Sequence, residues 1–414
     1  MIEWAEWKRL LREERLPCAI VDLDAFDRNA RALAALATAE STGGAEGRTD
    51  GGRPSRTLRL ATKSVRVPTL IRRALDQGAP YRGLMCYSAL EARWLHAQGF
   101  DDFLVAYPSV QPSDLAALRA LHDRGARVAL VIDSAAHLEA LARSMQGVST
   151  PFRAVVDADL SLKLFGARGA HLGVRRSPVR GAGDLEVLAR AAERHRGAVR
   201  LAGIMGYEAQ VAGLGDRNPF KPLLNWPARL VRAWSVRLMR SRRAELAGAF
   251  ARLGIELEIF NGGGTGSLSY CSSEPWLTEV TAGSGLFCPH LFDYYSNVAL
   301  EPAAFFALQA VRSSDAGFVT CQGGGYIASG EPGWDKVPRP WQPRDLSLVS
   351  AEGCGEVQTP LRDPGRAVAL GDPVLFRHAK AGELMERFNE VLLVSGDRIT
   401  DRVPTYRGLG QSFF

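Results

Sequence analysis

Glu258-Ile259-Phe260-Asn261-Gly262-Gly263-Gly264-Thr265-Gly266-Ser267 carries an apolar strand straight into four glycines and two hydroxyls. Glycine lets backbone N–H groups turn inward with no Cβ in the way, and consecutive amides in such a turn form a concave anion site. Thr265 and Ser267 add hydroxyl donors of the kind a phosphate takes. A second stretch of this type, Ala282-Gly283-Ser284-Gly285, follows the next apolar run. Neither has the GxxxxGKS spacing of a P-loop, and neither opens a βαβ unit with an acidic residue about twenty positions on. One such loop alone reads as an ordinary turn. Two, at the ends of successive strands, read as a phosphate cradle.

Outward from these glycines the chain alternates regularly. Short apolar runs lie at 58–62, 83–87, 102–106, 127–132, 152–157, 200–206, 256–260 and 279–282, and helical spacing fills 68–77, 89–98, 113–124 and 184–195. Fully apolar strands separated by helices imply a parallel sheet covered on both faces. About eight such units predict an α/β fold, a (β/α)8 TIM barrel over 16–300, whose loops after strands seven and eight commonly hold phosphate. Both glycine stretches fall there. Residues 38–56 are Gly, Ser, Thr and charge without periodicity, which predicts a mobile surface loop. Beyond residue 300 the apolar runs at 305–311, 317–321, 373–376 and 391–394 are separated by Gly, Pro and charge, which predicts a mainly β domain over 301–414. Residues 1–15 read as a charged helix packing on that domain. Residues 18–23 read as a strand, and Asp24 as the cap of the helix after it.

The 414 residues are 46% hydrophobic with a net charge of +6, enough for a large core and too little charge to suggest a polyanion partner. The densest basic run, 229–243, is interleaved with Leu230, Val231, Trp234, Leu238 and Met239 at helical spacing. It reads as a helix with a solvated or subunit-facing basic side, not a nucleic-acid or membrane surface. No apolar run is long enough to span a bilayer, and Met1-Ile2-Glu3-Trp4-Ala5-Glu6-Trp7-Lys8 lacks a signal-peptide core, so the expected location is the cytoplasm. Cys18, Cys86, Cys271, Cys288, Cys321 and Cys354 form no CxxC pair and read as reduced, mostly buried thiols.

Of 51 basic residues only six are lysine. A guanidinium does not readily lose its proton whereas an amine can, so each lysine in an apolar context is a candidate for chemistry. Lys63 ends the first barrel run, Arg59-Leu60-Ala61-Thr62-Lys63-Ser64, which sets its amine at the rim that carries the glycines. An amine facing a phosphate corner suggests an aldehyde cofactor held as a Schiff base. The alternative is a surface lysine at a strand end.

The order Lys63, barrel, Asn261-Gly262-Gly263-Gly264-Thr265-Gly266, Gly283-Ser284-Gly285, then a β domain resembles the fold-type III pyridoxal-phosphate enzymes, which include alanine racemase, D-threonine aldolase and D-serine dehydratase. Pro17-Cys18-Ala19-Ile20-Val21-Asp22-Leu23-Asp24 and Gly203-Ile204-Met205-Gly206-Tyr207-Glu208 resemble the aldolase and dehydratase branch. Arg377-His378-Ala379-Lys380-Ala381-Gly382-Glu383 is very similar to the bacterial amino acid deaminase/aldolase group. The resemblance, from about Leu16 to the C-terminus, implies an alanine-racemase-type barrel with pyridoxal 5'-phosphate on Lys63. It implies a phosphate cradle of Gly262, Gly263, Gly264, Thr265, Gly283, Ser284 and Gly285. His171 would stack on the pyridine ring, with capping or an interface as the alternative, and Arg175 would approach the ring nitrogen. Tyr207 would contact the cofactor or pack in the core.

In the second domain, Tyr326 within Gly323-Gly324-Gly325-Tyr326 resembles the tyrosine that racemases present from the partner subunit, or is a turn residue. The aldolase branch binds a divalent metal through a His-x-Cys or His-x-Asp pair, but here the pair reads His378-Ala379-Lys380 and lacks the second ligand. Ala61 and Val65 stand where that branch has histidines around its lysine, and Glu352-Gly353 replaces its acidic-His pair. A metal requirement is therefore in doubt. An ammonium could supply positive charge to the same substrate oxygen, leaving His378 for proton transfer; the alternative is a salt bridge of Lys380 with Glu383. The function implied is a lyase acting on a small, D-configured β-hydroxy amino acid by retro-aldol cleavage or β-elimination, as a homodimer. The alternatives are a racemase using Lys63 and Tyr326, and a non-catalytic cofactor carrier, against which the added β domain argues.

Overall fold

The computed structural model describes residues 2–39, 56–163, 171–314 and 316–413. The expected loop at 38–56 lies almost wholly outside them. Eight parallel strands close into a barrel: Thr57–Ala61, Tyr81–Cys86, Phe103–Val105, Val128–Ile132, Phe152–Asp157, Val199–Gly206, Ile259–Gly262 and Glu279–Ala282. Each coincides with an apolar run of the sequence, and the last pairs with the first, Glu279 beside Thr57 and Ala282 beside Leu60. Alternation along each strand divides the apolar residues between two cores. Leu58, Leu60, Leu84 and Phe103 face the outer helices, while Leu104, Ala129, Val131, Val155 and Met205 fill the barrel. Deeper in the barrel Arg59 is 3% exposed and held by Glu279 at 2.8 Å and Asp102 at 3.1 Å. Its charge is compensated on two sides, as a buried guanidinium requires.

The second domain is built on a nine-stranded sheet, and the structure moves one strand into it from the stretch assigned to the barrel. Cys18–Asp22 lies between Ala304–Ser314, antiparallel, and Glu390–Ser395, parallel. Both its faces are buried: Cys18 and Ile20 pack with Trp7 and Phe305, and Ala19 and Val21 join the main core. A strand buried on both faces looks the same in either sheet, so only the pairing distinguishes them. The N-terminal helix Trp4–Leu10 packs on this sheet, with the Trp4 indole donating to the Pro373 carbonyl at 2.9 Å. The helix after the strand, Leu23–Thr38, is capped by Asp22, not Asp24: the Asp22 side chain accepts from Ala25 N at 3.0 Å. Asp24 instead accepts from Ser395 and Gly396, both at 2.8 Å, tying this helix to the β domain.

Pro222–Arg252 is one helix of 31 residues, and its burial meets the expected pattern only in part: Arg229, Arg237 and Arg240 are exposed and Met239 is buried, as a solvated basic side requires. Arg232 and Arg243 are buried, whereas Leu223, Trp226, Leu230 and Trp234 are exposed. All six cysteines are free thiols, five of them buried. Among the described residues no helix is long and apolar enough to cross a membrane.

Candidate active site

A cavity of about 430 Å³ opens at the C-terminal rim of the barrel. Lys63, Tyr207, Gly262, Gly263, Gly264, Thr265, Gly283 and Ser284 all border it, so both glycine loops and the expected lysine converge. Lys63 sits in a single 3-10 turn, Thr62–Ser64, that closes the first barrel strand. Its Nζ donates to the Tyr107 hydroxyl at 2.9 Å. Burial pushes the Tyr107 phenol up, but Lys63 and Arg176 outweigh it and hold the group below the ordinary tyrosine value. Tyr107 follows the third barrel strand, the same rim position as Lys63 after the first.

The two loops are joined by one hydroxyl. Thr265 Oγ1 accepts from Gly285 N at 3.0 Å and from Ser284 Oγ at 3.2 Å. Gly263 has φ +95°, the left-handed region that favours glycine. A Cβ on Gly264 would stand 3.3 Å from Tyr207 and Ala212, which leaves the loop little spare room. Ser267 does not join the cradle. Its hydroxyl turns away and donates to Glu208 at 2.5 Å. Gly285 supports Thr265 from behind and does not border the cavity.

Behind the first loop lies a fully buried ion cluster, Glu208–Arg243–Glu274. Arg243 donates to Glu208 at 2.6 Å, to Glu274 at 2.7 Å and to the Gly206 carbonyl at 2.9 Å. Glu208 also receives the Gly263 N–H at 3.4 Å. The guanidinium lies so close beneath Gly262 that a Cβ there would collide with it.

The structure does not bring His171 or Arg175 to the cavity. His171 pairs opposite Lys163 in a two-stranded ribbon, its ring 3.2 Å from the Val174 carbonyl, and Arg175 is exposed. Val174 and Arg176 border the cavity on either side of Arg175, the alternation of an extended chain. Arg176 reaches Asp157 at 3.2 Å and lies over the rings of Tyr107 and Tyr207. Burial pushes the Asp157 carboxyl up to about 6, against the pull of Arg176. Two adjacent arginines in a loop give no sequence signal for choosing between them. Tyr107, by contrast, was findable from its place at a strand end.

Tyr326, His378 and Lys380 border a second cavity of about 340 Å³ beneath the β domain. In the same segment Gly382 packs on the Lys63 carbonyl with no room for a Cβ, so this part of the β domain rests on the Lys63 turn. Tyr326 is wedged edge-on between Phe306 and Phe388, ring centroids 5.0 and 5.4 Å away, and does not face Lys63 within this chain. His378 is 2% exposed, and burial lowers its pKa to about 3, so the ring is neutral. Lys380 is not paired directly with Glu383. It donates to the Ser329 carbonyl at 2.8 Å, while Glu383 accepts from Ser329 N at 2.9 Å, so Ser329 stands between them. Burial lowers the Lys380 pKa, and Glu383 partly restores it.

No family model matches the chain. In sequence it is 27% identical over 332 residues to a D-threonine aldolase from an Arthrobacter species, a span of 77% of this chain and 76% of that protein. Its fold matches D-threonine aldolase from Filomicrobium marinum with a TM-score of 0.76 at 20% identity, covering 95% of this chain and 96% of the other. D-threo-3-hydroxyaspartate dehydratase from Delftia sp. HT23 matches with a TM-score of 0.72 at 19% identity over 96% and 98%. Alanine racemase from Bacillus anthracis matches with a TM-score of 0.60 at 13% identity over 95% and 98%. A closed parallel barrel followed by a mainly β domain, shared along nearly the whole length, gives the chain the same fold as these D-threonine aldolase and alanine racemase structures.

Proposed function

We propose that the protein is a pyridoxal-phosphate-dependent lyase acting on a small D-configured β-hydroxy amino acid, by retro-aldol cleavage or β-elimination. The observation that carries this reading is the convergence of Lys63 and both glycine loops on one cavity, in a chain similar to D-threonine aldolase. The cavity fits the cofactor: glycines crowded by Tyr207, Ala212 and Arg243 leave backbone at the wall where a phosphate would lie. Gly262, Gly263, Gly264, Thr265, Gly283 and Ser284 would hold that phosphate, and Lys63 would hold the aldehyde end. When bound, the cofactor would supply an electron sink for the substrate. Arg176, fixed by Asp157, places a permanent positive charge on the wall, and Tyr107 orients the Lys63 amine.

The divalent cation of the aldolase branch does not fit the residues present. Beside His378 stand an ammonium, a serine already in use and two engaged carboxylates. Among the described residues no three His, Cys, Asp or Glu side chains group to hold a metal. An ammonium cannot ligate a cation and repels it. Lys380 supplies the positive charge at the substrate's β-oxygen, whereas His378, 2% exposed and held neutral by burial, is a poor proton carrier for it. The racemase alternative has less support, since Tyr326 is packed away from Lys63 in this chain. A homodimer would cover the exposed stripe Leu223, Trp226, Leu230 and Trp234.

The test is to incubate cofactor-loaded protein with D- and L-amino acids and to assay aldehyde, keto acid and enantiomer together. The expected result is aldehyde or keto acid from D-β-hydroxy amino acids, unaffected by a strong chelator and lost in Lys380→Met with the fold intact. Activity removed by chelation and restored by a divalent ion would reject the role given to Lys380.

A further inference from the structure

Lys63 takes its position from a short turn that is held from behind. Val65 N and Arg66 N donate to the Thr62 carbonyl at 2.9 and 3.0 Å, closing the turn around Lys63. Arg66 ends it at φ +55°, a conformation that favours glycine, so its surroundings hold it there. Part of that hold comes from the end of the chain: Tyr406 N donates to the Arg66 carbonyl at 2.9 Å. The Arg66 side chain pairs with Glu386 at 2.6 Å.

Glu91 lies at the centre of this support. It is fully buried in the first turn of the helix Ala89–Ala97, and accepts from Tyr87 N at 2.8 Å and from the Tyr406 hydroxyl at 3.0 Å. The Thr62 hydroxyl, the Cys86 thiol, the Tyr87 phenol and Arg66 also face this carboxyl closely enough to interact with it. Arg66 is the one cation in that group, and it is paired with Glu386. Burial pushes the Glu91 carboxyl up to about 7, against the pull of Thr62, the Tyr87 amide, Tyr406 and Arg66. Thr62 precedes Lys63, and its hydroxyl donates to the Met85 carbonyl at 3.0 Å. That hydroxyl has one proton to give and lone pairs to receive another. A protonated Glu91 offers it a donor and leaves the bond to Met85 in place. An ionised Glu91 offers none and competes with Met85 for the Thr62 proton.

Resting on the lyase reading, we propose that Glu91 is a positioning residue for Lys63. Through Thr62 and Tyr406 it holds the Thr62–Arg66 turn closed for capture of the cofactor while its carboxyl is protonated, and it loosens the turn when the proton leaves. Glu91 borders no cavity and touches no substrate; it acts only through the residues around Lys63.

The experiment is hydrogen–deuterium exchange of the Val65 and Arg66 amides in the full chain without added cofactor. Dividing the wild-type rate by that of Glu91→Gln at each pH cancels the pH dependence of the exchange chemistry itself. The ratio should rise about three- to tenfold between pH about 6 and about 8, the upper bound being that of a carboxyl with its ordinary value in the open turn. The same ratio for amides of the helix Ala182–Glu193 should stay flat, which separates a local loosening from general unfolding. Tyr406→Phe removes a donor that favours the ionised form, so it should carry the rise to higher pH; a packing role for Glu91 would leave the rise where it is. Affinity for pyridoxal phosphate, read by absorbance, should fall in wild type relative to Glu91→Gln over the same pH range. A flat ratio at Val65 and Arg66, or exchange that changes while cofactor affinity does not, overturns the proposal. Parallel pH curves with cofactor attached at Lys63 reject the role of Glu91 and keep the lyase reading. Exchange that changes as expected with no cofactor attached at any pH keeps Glu91 as the switch of the turn and rejects the lyase reading.

Discussion

Arg243→Met tests whether the first glycine loop rests on a buried ion cluster. The Arg243 side chain is fully buried and contacts two carboxylates, at 2.6 and 2.7 Å. Methionine keeps much of the apolar volume, so the main loss is the charge that balances Glu208 and Glu274. Removing one partner of a buried pair costs about 3–5 kcal/mol, because the other charge is left uncompensated. Burial already pushes the Glu274 carboxyl up against the pull of Arg243, and without the guanidinium its folded-state pKa rises further above the unfolded one. Stability is then retained below the unfolded carboxylate value and lost as pH rises through the raised one. The deficit should be large at pH about 7.5 and smaller at pH about 5. The assay is chemical and thermal denaturation of wild type and variant at both pH values. Cofactor affinity should fall in parallel, because Glu208 also holds Gly263 N and the Ser267 hydroxyl. Adding Glu208→Gln and Glu274→Gln to the variant should return much of the lost stability. A loss below about 1 kcal/mol, or one independent of pH, would refute the reasoning.

Two further outcomes follow from single contacts. Glu91 is fully buried, accepts from Tyr87 N at 2.8 Å and from the Tyr406 hydroxyl at 3.0 Å, and burial pushes it up to about 7 from 4.5. Its contribution is therefore intact below about 4.5 and declines as pH rises through about 7. Relative to Glu91→Gln, wild type should lose about 3 kcal/mol at most across that window, read by denaturation at each pH; a flat difference would contradict the burial argument. Gly264→Val would push a side chain against Tyr207 and Ala212, already 3.3 Å from a bare Cβ. Cofactor retention should weaken by about 1–3 kcal/mol, measured by dialysis and absorbance, and unchanged affinity in a folded variant would place the phosphate elsewhere.

The barrel was legible because its signal is local and repeated. Eight apolar runs, most of them separated by helix-forming stretches, have few ways to bury themselves, and all eight became barrel strands. The glycine loops and Lys63 were legible because strand ends of such a barrel share one rim, so order along the chain implies nearness in space. Sequence alone did not decide what depends on pairing or facing. The strand Cys18–Asp22 is apolar on both sides and carries no mark of which sheet it joins; that was decided by its neighbours, Ala304–Ser314 and Glu390–Ser395. Arg175 and Arg176 are chemically identical neighbours, and the backbone turned only the second toward Asp157. Ser267 left the cradle, and Arg243 left the solvated face of its helix, for one reason: Glu208, remote from both in sequence, is buried between them and needs both donors. Local chemistry settled the elements and their order, and long-range charge compensation settled which side chains face the cavity.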